Sequence, residues 1–251
     1  MGGDVEQAIR GTTMPVLEVS LASGESVISE SGAFSWMTSS IDMRTTTQIG
    51  GASGIMGVFK RAVAGGGIFM TELTAKDGPG TVSFAARLPG QIIPIDVEPN
   101  RFFMAHSHGF LCGESSIELT IGFQQKLGAG IFGGAGFILQ KVQGKGTAWV
   151  QLSGEIFVRD LAAGETLRVH PGHVGMFDDS ITFDIVRVKG IKNIFFGADT
   201  LFMASLTGPG RIWLQTLTLS HLAHDLDPFI SHPEGGSGGG LGGIGRILGG
   251  E

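Results

Sequence analysis

A glycine-x-glycine turn leading into an alternating apolar strand occurs three times in this chain. That recurrence limits the fold more than any other feature. It reads GPGTVSF from Gly78, GKGTAWV from Gly144 and GPGRIWL from Gly208, with starts 66 and 64 residues apart. A short aromatic strand precedes each: IFM from Ile68, GFIL from Gly136 and LFM from Leu201. Strand, glycine turn, strand predicts a hairpin. Other anchors keep the same order. They are SGAF, SHGF and HVGM from Ser31, Ser107 and His173, then SSIDM, SSIEL and DSITF from Ser39, Ser115 and Asp179. GESV from Gly24 and GETL from Gly164 open the first and third copies, and Pro99-Asn100-Arg101 stands there in the middle one. Four anchors repeated in order mark an internal repeat.

The predicted fold class is all-β. The predicted architecture is three tandem β-sandwich or short double-stranded β-helix units related by an internal pseudo-three-fold repeat. The expected organisation is an N-terminal arm at 1–14, β units at 15–90, 91–154 and 155–220, and a short helix with a glycine-rich flexible tail at 221–251. Units this short share a core rather than stand alone. Within the strands, Ile212 and Leu214 alternate with Arg211, Trp213 and Gln215, and Ala148, Val150 and Leu152 with Thr147, Trp149 and Gln151. A period of two assigns one set to the core and the other to a mixed, more open face. The helix is expected at Leu219–Leu226, stopped near Pro228.

Composition narrows the function classes. Glycine supplies 43 of 251 residues, against a usual share of about 7%, which suits many short strands joined by tight turns. Seventeen phenylalanines and no tyrosine point to dry packing. The net charge of −6, with no basic run longer than Lys60-Arg61, argues against nucleic acid as a partner. One cysteine, Cys112, excludes an intrachain disulfide and fits a reducing compartment. No secretory pattern and no apolar run of about 18 residues is present. The expected location is cytoplasmic, with a peripheral membrane contact left open by Leu241, Ile244, Ile247 and Leu248 of the tail.

Several residues could carry chemistry. His106-Ser107-His108 with Glu114 resembles the ligand set of a cupin metal site, since alternation would put both imidazoles on one strand face. The first copy has Glu30-Ser31-Gly32 at that place and no histidine, which favours turn histidines over ligands. His170-Pro171-Gly172-His173 is turn chemistry, and His221 with His224 fits a solvated helix face. Cys112 would need a nearby base and a lowered pKa to act as a nucleophile, so a core thiol is the preferred reading. The run GAGIFGGAG from Gly128 lacks the Lys-Ser/Thr of a phosphate loop, so it is a turn or bulge. Trp149, Trp213, Gln151 and Gln215 recur at equivalent places and are the interface candidates, between units or between subunits.

The repeats also resemble a known family. GAGIFGGAGFILQKVQGKGTAWVQLSGEI from Gly128, DLAAGETLRVHPGHVGMFDDSITFDI from Asp160 and LTGPGRIWLQT from Leu206 are similar to the Aim-twenty-four family, named for altered inheritance of mitochondria. GESVISESGAFSWM from Gly24, GGASGIMGVFKRAV from Gly50 and GGGIFMTELTA from Gly65 carry the likeness into the first unit. The resemblance implies a fold like the tryptophan RNA-binding attenuation protein. It also implies homotrimers with a pseudo-nine-fold ring, no established catalytic residues and no cofactor. The lack of a transit peptide suggests a bacterial member.

The expectation is therefore a non-enzymatic oligomeric assembly or scaffold protein, with a membrane or protein partner through the tail. Two alternatives stand beside it. One is a cupin-like metal enzyme at His106, His108 and Glu114; the other is a small-ligand or nucleic-acid binder working between units.

Overall fold

The computed structural model describes residues 6–48, 68–125, 136–188 and 201–229. The glycine-rich tail, Lys60-Arg61 and all of Gly128–Gly136 except Gly136 lie outside them. The first part of the chain forms β1 (Glu6–Arg10), β2 (Val16–Leu21), β3 (Ser26–Glu30), β4 (Trp36–Met37), β5 (Ile41–Gln48), β6 (Ile68–Ala75) and β7 (Gly80–Ala85). The second forms β8 (Gly90–Val97), β9 (Phe102–His106), β10 (Phe110–Glu114), β11 (Ile117–Gln125), β12 (Phe137–Gly144) and β13 (Gly146–Ser153). The third forms β14 (Ile156–Leu161), β15 (Thr166–Val169), β16 (Val174–Asp178), β17 (Thr182–Val188), β18 (Leu201–Thr207) and β19 (Gly210–Gln215). A helix, α1, spans Leu219–Leu226 with Thr218 as its cap, whose hydroxyl accepts from His221 N at 3.2 Å.

The strands make four sheets: β1-β2-β7-β4, β5-β6-β3-β10-β13-β8, β11-β12-β9-β16-β19-β14, and β15-β18-β17. Apart from β1, each third of the chain places three strands in one sheet and three in the next. The trios β2-β7-β4, β8-β13-β10 and β14-β19-β16 run in one order, and β3-β6-β5, β9-β12-β11 and β15-β18-β17 in another. The two six-stranded sheets arise where β3 pairs with β10 and β9 pairs with β16. Neighbouring thirds are thus fused by backbone hydrogen bonds.

Three apolar cores lie between successive sheets. The first joins Leu17, Val19 and Phe84 to Leu73, Cys112 and Trp149; the second joins Ile95 and Val150 to Val142 and Met176; the third joins Leu139 and Ile212 to Ala204 and Leu206. The two middle sheets are therefore covered on both faces. This corrects the one-sided reading of the strands. On β13 the run Ala148–Ser153 is buried throughout, Trp149 and Gln151 included. A strand packed on both sides has no open face, and its alternation no longer separates inside from outside.

The hairpin expected at each glycine-x-glycine turn is also corrected. β6 and β7 lie in different sheets, as do β12 and β13, and β18 and β19. The turn is a corner that carries the chain from one layer to the next. Glycine is required there by backbone approach: a Cβ on Gly144, at φ +123°, would stand 2.2 Å from Ser116 O. The consecutive strands that do pair are β1 with β2, β5 with β6, β11 with β12, and β17 with β18.

Candidate functional site

Two features of the described residues could do something beyond holding the fold: a histidine-rich junction and a set of open sheet edges. At the junction, β9 ends at His106, and its Nε2–H donates to Gln151 O at 3.3 Å. The Gln151 side chain reaches back to the incoming chain: its Nε2 donates to Leu88 O at 3.0 Å and its Oε1 accepts from Arg87 N at 3.1 Å. A similar clasp, built from a different histidine position, lies at Gln215. His173 Nδ1–H donates to Gln215 O at 2.8 Å, Gln215 Nε2 donates to Gly172 O at 3.0 Å, and Gln215 Oε1 accepts from Ser153 N at 3.0 Å. Each glutamine satisfies one backbone N–H and one backbone carbonyl at a crossing of the chain, the bond to Ser153 N being buried and the others part-buried. This explains why the pair recurs: they are clasps within the chain.

Beside this clasp lies a hollow of about 540 Å³ lined by His106, His108, Phe137, Val174, Gln215 and His224, among others. His170, His173 and His221 cluster next to it, with ring centres 5.5 to 5.8 Å apart. Burial drives the His106 pKa down to about 4, and burial with neighbouring His173 and His221 does the same for His170. Both rings are neutral at pH 7, and His106 acts as a hydrogen-bond donor, not as a charge.

The cupin-like arrangement does not assemble. His108 has a φ of +69° in the turn between β9 and β10, so strand alternation stops before it and the two imidazoles share no strand face. Glu114 lies at the other end of β10, against Gly146 at the start of β13, whereas His106 bonds Gln151, five residues along that strand. At roughly 3.3 Å per residue, the carboxylate stands on the order of 16 Å from that imidazole. Among the described residues no three His, Cys, Asp or Glu side chains are placed to hold a metal ion. Cys112 is fully buried in the first core, and desolvation raises its thiol pKa, so it is a packing residue. His106 belongs to a different sheet.

The two equivalent tryptophans differ in setting. Trp149 is fully buried in the first core and its indole N–H donates to Gln7 Oε1 of β1. Trp213 is half-buried, edge-on to Phe103 at 6.1 Å. The open edges were missed from the sequence. β4 and β15 end their sheets, and the exposed large apolar residues include Trp36 on β4 and the adjacent Phe157 and Val158 on β14. Their signal was the anchor pattern itself, because β4 and β15 stand where β10 and β3 stand inside the chain.

With the fold in place, comparison with known proteins assigns a family. The profile described as Mitochondrial biogenesis AIM24 matches residues 7–217. The chain belongs to the AIM24 family. The AIM24 match spans all of the described sheets. A Streptococcus pyogenes serotype M6 protein described as uncharacterized is 26% identical over 226 residues, 88% of this chain and 89% of its own. A crystal structure of a Streptococcus pyogenes protein is similar with a TM-score of 0.72 at 22% identity, covering 90% of this chain and 100% of that one. At that identity the likeness concerns the fold. No helix among the described residues is long and apolar enough to cross a membrane.

Proposed function

We propose that this chain is a non-enzymatic assembly protein that joins head to tail with further copies of itself into a ring. The observation that carries the reading is a pair of half-sheets. Inside the chain, β3-β6-β5 meets β10-β13-β8, and β9-β12-β11 meets β16-β19-β14. At the ends, β15-β18-β17 lacks such a neighbour beyond β15, and β2-β7-β4 lacks one beyond β4, among the described residues. The two ends are complementary halves of the same six-stranded arrangement. Joining them between chains closes a heterologous contact into a ring and removes two open edges.

The internal joints supply the register. Cys112 pairs with Ser29, and Met176 with Ala105. Trp36 occupies the place of Cys112 and Met176, opposite Ser83 as they stand opposite Trp149 and Trp213. Val169 occupies the place of Ser29 and Ala105, opposite Ala204 as they stand opposite Thr71 and Gln140. Trp36 of one chain therefore pairs with Val169 of the next. It is 52% exposed in the single chain, and pairing would cover it. The number of copies, three, follows from the family resemblance.

A protein carrying both Trp36→Cys and Val169→Cys tests this. Mild oxidation should give a covalent series ending at three chains on a non-reducing gel. A product that stays at one chain under conditions where both thiols react with a maleimide would overturn the reading.

A further inference from the structure

β2, β8 and β14 hold equivalent places, yet their outer edges are treated differently. The edge of β2 is taken by β1, from Glu6 opposite Ser20 to Arg10 opposite Val16. The edge of β8 carries Pro94, opposite Trp149. Proline is tolerated in a strand where its missing N–H would face away from the ladder, so position 94 faces the open side and blocks pairing there. Among the described residues β14 has neither protection. Val158 stands opposite Trp213 as Pro94 stands opposite Trp149, so its N–H and C=O face outward. Phe157 and Val158 are 62% and 54% exposed. An uncovered apolar edge of this kind invites another strand.

We propose that β14 pairs antiparallel with β14 of a second copy, about a two-fold axis at Val158. This register sets Val158 against Val158 of the partner subunit and Phe157 against Arg159 of the partner subunit, twice. The guanidinium can then cover the ring face, and Ile156 lies opposite Asp160 of the partner subunit. Centring on Arg159 would oppose two guanidiniums, and centring between Val158 and Arg159 would set Phe157 against a carboxylate. Of these three registers only the one at Val158 gives both exposed apolar residues a favourable partner. Centring on Phe157 would also pair apolar side chains, ring on ring and Val158 on Ile156 of the partner subunit, but it sets the two Val158 residues out of register and so predicts no Val158→Cys disulfide. That self-complementarity identifies the occupant as another copy of this chain.

The test is Val158→Cys. Directly opposed residues in an antiparallel pair have Cα atoms about 4.5 to 5.5 Å apart, within disulfide reach. The only native cysteine, Cys112, is buried and does not compete. Oxidation should convert the protein to two-chain species on a non-reducing gel. Val158→Pro, matched to the proline that β8 accommodates at the equivalent place, should halve the native mass. Val158→Cys that stays single-chain after oxidation overturns the proposal, as does an unchanged native mass for Val158→Pro; the edge is then left open or covered by a different molecule. The head-to-tail reading is separable, because Trp36→Asp should leave the Val158→Cys dimer in place.

Discussion

His106 Nε2 donates to the backbone carbonyl of Gln151 at 3.3 Å, while the Gln151 side chain holds Arg87 N and Leu88 O. One residue thus ties the end of β9, the buried run of β13 and the crossover from the first unit. The same logic operates at Gln215. It fixes how these residues should respond to change.

Gln151→Leu leaves Arg87 N and Leu88 O without their side-chain partner. A hydrogen bond is worth about 0.5–1.5 kcal/mol net, and Arg87 is exposed and Leu88 half-buried, so losing both bonds should cost about 1–3 kcal/mol in urea unfolding. Gln215→Leu should behave alike, because Ser153 N and Gly172 O lose the same kind of partner.

The histidines set a pH dependence. Folded His106 and His170 titrate near 4, against about 6.5 when unfolded. Below pH 6.5 the unfolded chain takes up protons that these folded rings refuse. Stability is therefore full above 6.5, falls as pH drops towards 4 and levels off below that. For half-buried His106 the loss is below about 3 kcal/mol; His170, partly solvated, contributes less. His106→Gln keeps a donor for Gln151 O but cannot titrate, so its melting temperature should fall less between pH 7 and pH 4.5 than the unaltered protein's.

The tryptophans separate in the same way. Trp149→Ala empties a fully buried site in the first core and should cost about 3–5 kcal/mol in chemical unfolding. Trp213→Ala, at a half-buried rim position, should cost clearly less. Equal losses would mean that the two environments are alike.

Cys112 is sealed in the first core with its thiolate disfavoured. Ellman's reagent should leave it unmodified in native buffer over an hour and modify it within minutes in concentrated urea. Rapid modification in native buffer would contradict the packing.

Much of the β architecture was legible in the residues, and the failures have physical causes. Glycine spacing located the strands beginning at Gly80, Gly146 and Gly210, and Leu219–Leu226 forms the helix its sequence suggested. Strand periodicity does not name a strand's partner, so the corner at Gly144 looked like a hairpin. Alternation on β13 suggested an open face, but a strand between two layers buries both sides. His106 and His108 looked like paired ligands until a left-handed turn at His108 separated them. Gln151 and Gln215 were marked by recurrence alone; their role as clasps needed the distances. Trp36, Val169 and Val158 depend on which strands end a sheet, a property of the assembled fold.

The head-to-tail ring is tested most directly by native mass spectrometry of Val158→Pro protein, in which the β14 contact is removed. The ring predicts a particle of three 26.2 kDa chains, reduced to single chains when Trp36→Asp is added. A folded Val158→Pro protein that remains a single 26.2 kDa chain at micromolar concentration would contradict it.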